Sequence, residues 1–457
     1  MNILDRLDEA LKSIDGYGEI RFEKNRKLDI KYHNGKSEMV NSTDLAGGNV
    51  RVLLPNHGWG FAVFNRIEDI DRAIKDARDS SLAIIPDEKI VLAEVEPVVA
   101  EIKIHTDDDA RNHSLQEKYE LLERYDELAA GIDNRISERI FSFTQEFIER
   151  YLLTTEGTRL VRHRADCVLR SVFRAKDANS VQNAFKSFAT RGSFDELTKK
   201  DNEIIEVARK SAELLDAPTV KGGNYTVVLN PGLAGVFIHE AFGHLSESDF
   251  LENNPQAQKM MTLGRKFGPE FLNVFDDGSP SPELRGTIDY DDEGVPAGKT
   301  PLISEGVLVG RLHSRETAGK LGESPTGNAR AQDFRYPPIV RMRCTAIDKG
   351  PHDAKHIFDG IEEGVYAIDA YGGQTELENF SFSAGYGYMI RDGKIAEMVK
   401  DVVLQGNLFE TLANIEQIGD DFKWSRDGGY CGKDGQLAKT SEGSPHIRIK
   451  NVIVAGK

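Results

Sequence analysis

Cysteine is scarce in this sequence, and its three residues, Cys167, Cys344 and Cys431, lie far apart in the chain. An odd number of scattered cysteines excludes the disulfide scaffold of a small secreted domain and is typical of a protein from a reducing compartment. The N-terminal stretch has apolar residues at helical spacing but lacks the continuous apolar segment of a signal peptide. We therefore expect a cytoplasmic protein.

Long apolar runs and an excess of positive charge are also missing. No segment approaches the apolar length that spans a bilayer, so we expect no membrane association. The formal net charge is −17 and the pI is near 5.2, which removes the electrostatic basis for a nucleic-acid partner. What remains is a chain of 457 residues with ordinary composition, long enough for two or three domains.

The first part of the chain alternates between helical and strand-like patterns. Apolar and polar residues alternate around an Asn-Gly turn at Asn34, which is a strong hairpin signal and begins a β-meander. Further β-rich runs occupy residues 137–190. The charged segment that follows predicts one helix, with Ser193 as its N-cap and its end before Pro218.

The second part is dominated by short strands and glycine turns. The stretch DAPTVKGGN is rich in turn formers, so we place the domain boundary after residue 220. Beyond it, a buried-looking strand precedes a helix that begins at Pro231 and contains two histidines. The sequence therefore predicts an α+β fold, with a mixed α/β domain over residues 1–220 and a β-rich domain over residues 221–457 that carries this helix.

The helix contains HEAFGH, in which Glu240 follows His239 and a second histidine, His244, comes five residues after the first. Zinc peptidases carry H-E-x-x-H, whose histidines are four apart and share one helical face. On a regular α-helix, residues five apart diverge by about 140° around the axis, against about 40° for four apart. The two imidazoles can share an ion only if a π-bulge adds one residue or if the helix loosens at Gly243.

The alternative is a buried helix whose histidines are satisfied by neighbouring polar groups. If they do bind a metal, a third ligand is needed, and Cys431 in GGYCGKDGQ is the candidate because a thiolate binds zinc well. Cys431 could instead be a small buried side chain. That is the interpretation we favour for Cys167 and Cys344, which lie in strand-like segments.

Carboxylates around the two histidines suggest further roles. Glu240 is placed to act as a general base, accepting a proton from a metal-activated water that attacks a carbonyl. Glu247 and Asp249 are candidates to orient a ligand imidazole. Such side chains are more often solvated, however, and we expect solvation for both.

Several longer stretches, including HEAFGHLSESD, DDEGVPAGKTP, YGGQTE and CGKDGQ, resemble the TldD/PmbA family over nearly the whole chain. The resemblance implies a zinc metallopeptidase of the TldD-like branch, with His239, His244 and Cys431 as Zn²⁺ ligands and Glu240 as the catalytic carboxylate. It implies hydrolysis of small or unfolded peptides, in leader-peptide processing or antitoxin-type degradation. It also implies a homodimer, or a heterodimer with a paralogue that lacks the metal motif.

Two other functions stay open. One is a non-catalytic regulatory or interaction protein of the DNA gyrase modulator type, with a structural metal or none, in which Glu240 would have no role. The other is a His₂Cys copper site for electron transfer, which needs a weak axial ligand and ranks last.

The sequence does not identify the group that stabilises an oxyanion, although Arg330, Arg335 and Tyr336 are conceivable. The segments SPTGNARAQDF and NFSFSAGYGYMIRDGK are candidate substrate-facing elements. For each of them a structural turn or hairpin is the simpler interpretation.

Overall fold

The computed structural model describes residues 2–456 apart from Asp107, Asn253, Pro282 and Leu377. Strands hold 43% of the residues and helices 24%, and the C-terminal region is rich in strands, which confirms the predicted α+β class. Within these described ranges, no helix combines the length and the apolar character needed to cross a membrane.

The N-terminal half contains five helices and seven strands over the described residues. They are α1 (Ile3–Leu11), β1 (Tyr17–His33), β2 (Lys36–Leu53), β3 (Trp59–Phe64), α2 (Ile70–Ala83), β4 (Val99–Ile102), α3 (Leu115–Ala130), β5 (Ile136–Thr154), β6 (Arg159–Lys176), β7 (Val181–Thr190), α4 (Asp195–Thr198) and α5 (Asp201–Asp216).

The C-terminal half is built mostly from short strands. Its elements are β8 (Gly223–Leu229), α6 (Pro231–Ile238), α7 (Pro255–Met260), β9 (Val274–Asp277), β10 (Lys299–Ser304), β11 (Val307–Leu308), α8 (Arg315–Leu321), β12 (Ala329–Arg330), β13 (Ile339–Val340), β14 (Cys344–Ile347), β15 (Glu363–Glu376), β16 (Asn379–Arg391), β17 (Lys394–Val399), β18 (Val403–Asn407), α9 (Leu408–Ala413), β19 (Ile415–Ile418), β20 (Lys423–Trp424), β21 (Tyr430–Lys433), β22 (Gln436–Lys439), β23 (Ser441–Ser444) and β24 (Ile447–Ala455).

All seven N-terminal strands form one sheet, in the order β3-β2-β1-β5-β6-β4 with β7 also paired to β6. Asn34 and Gly35 both have positive φ and close the β1–β2 hairpin, as their sequence predicts. Side chains alternate between the two faces of a strand, and one face of β1 has an apolar patch towards each end, with Lys24 and Arg26 between the patches. There Ile20 packs with residues of α1 and α2, and Ile30 packs with residues of α3 and α5.

The charged segment after this sheet is not one helix, so that prediction is wrong. α4 ends at Thr198 and α5 begins at Asp201. The Tyr125 hydroxyl lies at the break, where it donates to the Leu197 carbonyl at 2.6 Å and accepts from the Lys200 N–H at 3.0 Å. A side chain inserted into the backbone ladder in this way interrupts a helix.

The C-terminal half contains a closed ring of strands and a second sheet. Strands β15, β8, β24, β18 and β16 pair in succession, and β16 pairs back to β15. The second sheet has the order β11-β10-β9-β14-β23-β20. Helix α6 packs on both, because the Phe237 ring lies 5.5 Å from the Phe380 ring of β16 and Gly235 faces β23.

The apolar clusters follow the two halves of the chain. The largest cluster draws its members from residues 220–454, and two smaller ones draw theirs from residues 7–215. That residues 1–220 and 221–457 form two separate domains stays a prediction.

The contact between the halves is polar and buried. Arg21 and Asn49 lie on the second face of the N-terminal sheet and donate to backbone carbonyl groups of the C-terminal half. Asp292 of the C-terminal half accepts from Arg150 at 2.9 Å and from Arg162 at 2.5 Å. Buried charges of this kind are tolerated only when they are paired, so this carboxylate ties the halves together.

Replacing that carboxylate tests its contribution to stability. We expect Asp292→Asn to destabilise the protein by about 3–5 kcal/mol in urea denaturation, because it leaves buried guanidinium groups without their counter-charge. The matched control is Asp359→Asn, since the Asp359 side chain is 67% exposed and pairs with an exposed histidine. We expect a change below about 0.5 kcal/mol for the control. Equal effects of the two variants would contradict the role assigned to Asp292.

Candidate metal centre

The helix that carries the histidines changes its winding where they occur. Regular α-helix ends at Ile238, a π-helical turn covers His239–Gly243, and a 3₁₀ turn covers His244–Ser246. Hydrogen bonding from i to i+5 adds one residue to the turn and brings residues five apart to the same side. The first of the two predicted distortions is therefore confirmed.

The second predicted distortion, a helix that loosens at Gly243, does not occur. The φ of −57° and ψ of −47° at Gly243 are ordinary helical values, so this residue provides no unusual backbone conformation. A Cβ at this position would lie 2.1 Å from the Met342 sulfur. The π-turn therefore packs directly against this methionine, and a residue larger than glycine would have to displace the methionine side chain.

The turn brings three donors together. Ligand atoms of His239, His244 and Cys431 all lie within 4.8 Å of one another. The Cys431 Sγ is 3.2 Å from the His244 Nε2, and the two imidazole rings are nearly perpendicular with centroids 5.5 Å apart. Among the described residues, this is the cluster of histidine, cysteine and carboxylate side chains whose geometry suits one ion.

Glu247 orients the second imidazole. Its Oε2 lies 3.1 Å from the His244 Nδ1, and its Oε1 accepts the Met342 N–H at 3.2 Å. The side chain is buried, so the expectation that it is solvated is wrong. Burial raises its pKa, but the contacts with His244 and Lys433 outweigh burial and hold that pKa below its usual value.

Asp249 is also largely buried, which contradicts the expectation of solvation, but it does not touch an imidazole. Its carboxylate accepts from the Lys433 ammonium at 2.5 Å and from the Val340 N–H at 3.0 Å. Lys433 also lies 3.1 Å from Glu247. Asp249 therefore positions a lysine that in turn contacts the carboxylate beside His244.

Glu442 faces the first imidazole and was not found from the sequence. Its Oε1 lies 3.4 Å from the His239 Nδ1, a buried atom for which the described residues provide no well-aligned hydrogen-bond acceptor. Glu442 is on β23, which packs on α6 at Gly235, where a Cβ would lie 3.1 Å from the Glu442 Cβ. Nothing near Glu442 in the sequence has a motif spacing that signals this contact.

Cys431 is fixed by a buried arginine. The residue lies on β21 in the β21–β22 hairpin, and Arg341 donates to its carbonyl at 2.5 Å and to that of Gln436 at 3.1 Å. The Arg341 side chain is 1% exposed and its Nε lies 4.0 Å from Glu247. One guanidinium thus connects the hairpin that carries the thiol with the carboxylate that orients His244.

The three donors shift one another's ionisation. Burial raises the pKa of Cys431, but the two imidazoles outweigh burial and lower it to about 5. Burial lowers the pKa of both histidines, but the thiolate and the nearby carboxylates raise it to about 9 for His239 and about 10 for His244. The surroundings of Cys431 therefore favour its thiolate form, which is the form that binds a metal.

The other cysteines are confirmed as core residues. Cys167 and Cys344 are both fully buried, and burial raises the pKa of each thiol well above its usual value. Neither is a thiolate at neutral pH, so neither has the character of a ligand or nucleophile.

Glu240 lies beside the cluster at the wall of a cavity. Its Oε2 is 3.7 Å from the His244 Nε2, and its side chain is 29% exposed. The cavity has a volume of about 590 Å³ and lies between α5 and β7 on one side and β15 and β16 on the other. His239, Tyr371 and Tyr386 also line it. Glu240 therefore contacts both the cluster and a space large enough for part of a peptide.

The three residues considered for an oxyanion lie elsewhere. Arg330 donates to the carbonyl groups of Met342 and Lys439, and Arg335 pairs with Asp333. The described residues that line the cavity beside Glu240 include none of Arg330, Arg335 and Tyr336.

Both candidate substrate-facing segments do border a cavity. β16 contributes Gly385 and Tyr386 to the cavity beside Glu240. Residues 330–333, which follow Ala329, line a second cavity.

Comparison with known families gives consecutive matches along the chain. The model of domain 1 of the PmbA/TldA metallopeptidases matches residues 18–81, and the central domain model matches residues 108–217. The model of the C-terminal domain matches residues 222–456.

Individual proteins are similar over nearly the full length. The chain is 44% identical to metalloprotease slr0863 of Synechocystis sp., over 96% of this chain and 94% of the relative. It is 28% identical to the zinc metalloprotease TldD homolog of Saccharolobus solfataricus, over 96% of each chain. The solved structure of TldE from Thermococcus kodakarensis has the same fold, with a TM-score of 0.78 over 99% of each chain at 21% identity.

The ionisation of the thiol can be measured directly. In chelator-treated protein we expect the ultraviolet absorbance of one thiolate at neutral pH, lost as the pH falls through about 5 because the two imidazoles hold the pKa of Cys431 at that value. Cys431→Ser should abolish this transition, whereas Cys167→Ser should retain it. A thiolate signal that appears only above pH 8 would contradict the geometry described for the cluster.

Proposed function

The chain belongs to the PmbA/TldD metallopeptidase family, and from this membership we propose that it is a zinc-dependent peptidase. His239, His244 and Cys431 bind Zn²⁺, and Glu240 is the catalytic base. The observation that carries the proposal is the convergence of these three donors at a π-turn, with a carboxylate beside them at the wall of a cavity.

The donor set fits a zinc ion. Two imidazoles and one thiolate are good zinc ligands, and three donors around one tetrahedral zinc lie roughly 3.5 Å apart. The 3.2 Å separation of the Cys431 sulfur from the His244 Nε2 is already close to this value. Three protein ligands leave one position open, which is the arrangement of catalytic zinc rather than structural zinc.

A zinc ion held by His239, His244 and Cys431 would supply Lewis acidity, which makes an attacking water more acidic and polarises the scissile carbonyl. The protein supplies the proton transfer. Glu240 is close enough to the ligands to accept a proton from the water and exposed enough to deliver it to the leaving amine. This catalytic role accounts for the glutamate in the HEAFGH motif. A purely structural metal site would not need it.

Two other glutamates hold the imidazoles in place. Glu247 and Glu442 each lie against an Nδ1, which directs the other ring nitrogen of each histidine towards Cys431. Such carboxylate–histidine contacts fix the tautomer and the orientation of the ring and increase its basicity.

The enclosed position of Glu240 favours unfolded peptides as substrates. A folded protein cannot bring its backbone into a cavity between the two halves of the chain, whereas an extended peptide can. Beyond Asp369, whose N–H donates to the Asn230 side chain, β15 has no described strand partner on the side where β8 ends, and Tyr371 and Gly372 of this edge line the cavity. An extended peptide can pair with such an edge through its backbone.

We also propose that the chain forms a dimer, either with a second copy of itself or with a paralogue that lacks the metal motif. Light scattering on the purified chain, alone and with a paralogue that lacks the metal motif, distinguishes a homodimer from a heterodimer.

The role of Glu240 is tested by removing its charge. We expect Glu240→Gln to lower kcat for hydrolysis of an unstructured peptide by roughly 10²- to 10⁴-fold, because the proton acceptor is lost. Zinc content measured by mass spectrometry should be unchanged, whereas Cys431→Ser should lose zinc. Glu397→Gln, an exposed glutamate of β17, is the matched control. Full activity of Glu240→Gln would contradict the mechanism. If mass spectrometry finds copper instead of zinc in the purified protein, the choice of ion is wrong.

The role of Glu247 is tested through metal affinity. We expect Glu247→Gln to weaken zinc binding by about 10- to 100-fold in a competition with a chelator, since the contact that orients His244 loses its charge. Glu416→Gln is the control, because Glu416 pairs with Arg448 on the strand ring and does not touch the cluster. Unchanged affinity in Glu247→Gln would show that the contact is incidental.

A further inference from the structure

A second cavity lies on the far side of the hairpin that carries Cys431. It has a volume of about 390 Å³ and lies between the N-terminal sheet and residues 287–292, 330–335 and 437–439. Tyr430, the residue before Cys431, lines both this cavity and the one beside Glu240. We call this second cavity the cationic cavity, because most of the charged side chains that line it are basic.

Basic side chains outnumber acidic ones in its lining by eight to four. The basic residues are Lys27, Arg150, Arg162, Arg164, Arg191, Arg330, Arg335 and Lys439, and the acidic ones are Glu146, Asp289, Asp292 and Asp333. The cavity beside Glu240 has the opposite balance, with six acidic residues against three basic ones. The two sides of the hairpin therefore differ in the sign of their charge.

Carboxylates inside and just outside the lining pair most of these cations, among them Glu146 with Lys439, Asp333 with Arg335 and Glu283 with Arg191. Two carboxylates, however, are each shared by several cations. Asp292 contacts Arg150 and Arg162, and it also lies 3.8 Å from a third guanidinium, that of Arg21. Asp166, just behind the lining, is shared in the same way. Its contacts are Arg164 at 2.6 Å, Arg191 at 3.3 Å and Lys439 at 2.7 Å.

One buried arginine of the lining has no acceptor that carries charge among the described residues. Arg330 is 8% exposed and donates to two backbone carbonyl groups, and no described carboxylate comes within ion-pair distance of it. The Arg162 Nε is a buried donor for which the described residues provide no hydrogen-bond acceptor, although the same guanidinium pairs with Asp292. A buried positive charge that lacks a counter-ion is costly, so an anion entering this cavity would be stabilised.

We infer that the cationic cavity binds a carboxylate group of the peptide substrate. The inference rests on the proposed peptidase function, since carboxylates are the anions that a peptide carries. Guanidinium groups suit them because the planar fork can donate two hydrogen bonds to one carboxylate. Because Tyr430 borders both cavities, the carboxylate is held on one side of the hairpin while the scissile bond lies on the other.

The carboxylate can come from the C-terminus or from an acidic side chain, and matched peptides distinguish these sources. Binding is measured by calorimetry on zinc-loaded Glu240→Gln protein, so that the peptides are not cleaved. One pair of unstructured peptides differs only in a C-terminal carboxylate or carboxamide. A second pair ends in carboxamide and differs only by glutamate or glutamine at one position. We expect the acidic member of at least one pair to bind about tenfold more tightly.

Arginine variants connect this preference to the cavity. In the Glu240→Gln background, Arg335→Gln and Arg191→Gln should each reduce the preference at least threefold. Arg335 is 54% exposed, so its replacement is compatible with folding even if the more buried Arg191 variant is unstable. Arg391→Gln is the matched control, because that exposed arginine of β16 pairs with Glu363 and Glu397 away from the cavity. It should leave the preference unchanged.

Three outcomes would overturn the inference. The first is equal affinity within both peptide pairs, and the second is a preference that survives in both arginine variants. The third is displacement of all four peptides to the same extent by inorganic phosphate, which would assign the cavity to phosphate instead.

Failure of this inference is separable from failure of the proposed function. Hydrolysis of the four peptides by the unmodified protein, with and without a chelator, is measured in parallel. Zinc-dependent cleavage without any carboxylate preference would overturn only the cavity inference. A preference that depends on Arg335 but comes with no cleavage would support the cavity and overturn the peptidase proposal.

Discussion

The candidate centre depends on one additional residue in one helical turn. With regular α-helical winding, His244 would point away from His239 by about 140° and could not approach the same thiol. The π-turn over His239–Gly243 removes this divergence, and packing keeps it in place. Gly243 lies directly against Met342, and the Ser246 hydroxyl donates to the Gly243 carbonyl at 2.6 Å. A less favourable helical geometry is thus maintained by the surrounding core, which is typical of functional sites.

Three glutamates around this turn have different roles because their surroundings differ. Glu240 is partly exposed at a cavity wall, Glu247 is buried among cations, and Glu442 lies against His239 at the wall of the same cavity, with 12% of its side chain exposed. Burial raises the pKa of Glu442 despite the nearby imidazole, whereas His244 and Lys433 keep the pKa of Glu247 low. Glu240 and Glu442 both line the cavity, but Glu240 is the more exposed of the two, with 29% of its side chain exposed against 12%. Glu247 is buried away from the cavity and orients His244.

The seam between the two halves of the chain explains where the cationic cavity lies. The N-terminal sheet buries an apolar face under its own helices, so its second face meets the C-terminal half with charged side chains. Charged surfaces cannot pack as tightly as apolar ones, because each group needs a partner in a defined direction. Gaps therefore form along the seam, and the excess of arginine over carboxylate makes one of them cationic.

The sequence by itself determined the hairpins, the α+β class, the burial of Cys167 and Cys344, and the need for a distorted helix between His239 and His244. These features depend on local periodicity, on turn chemistry and on the rotation per residue of a helix, all of which a short stretch of sequence contains. Only the tertiary structure decided that the distortion is a π-turn, that Glu442 faces His239, that Glu247 is buried while Asp249 pairs with Lys433, and that Tyr125 breaks the helix after Thr198. Each of these depends on side chains that approach from distant segments, and no local pattern encodes which distant group will fill a given space.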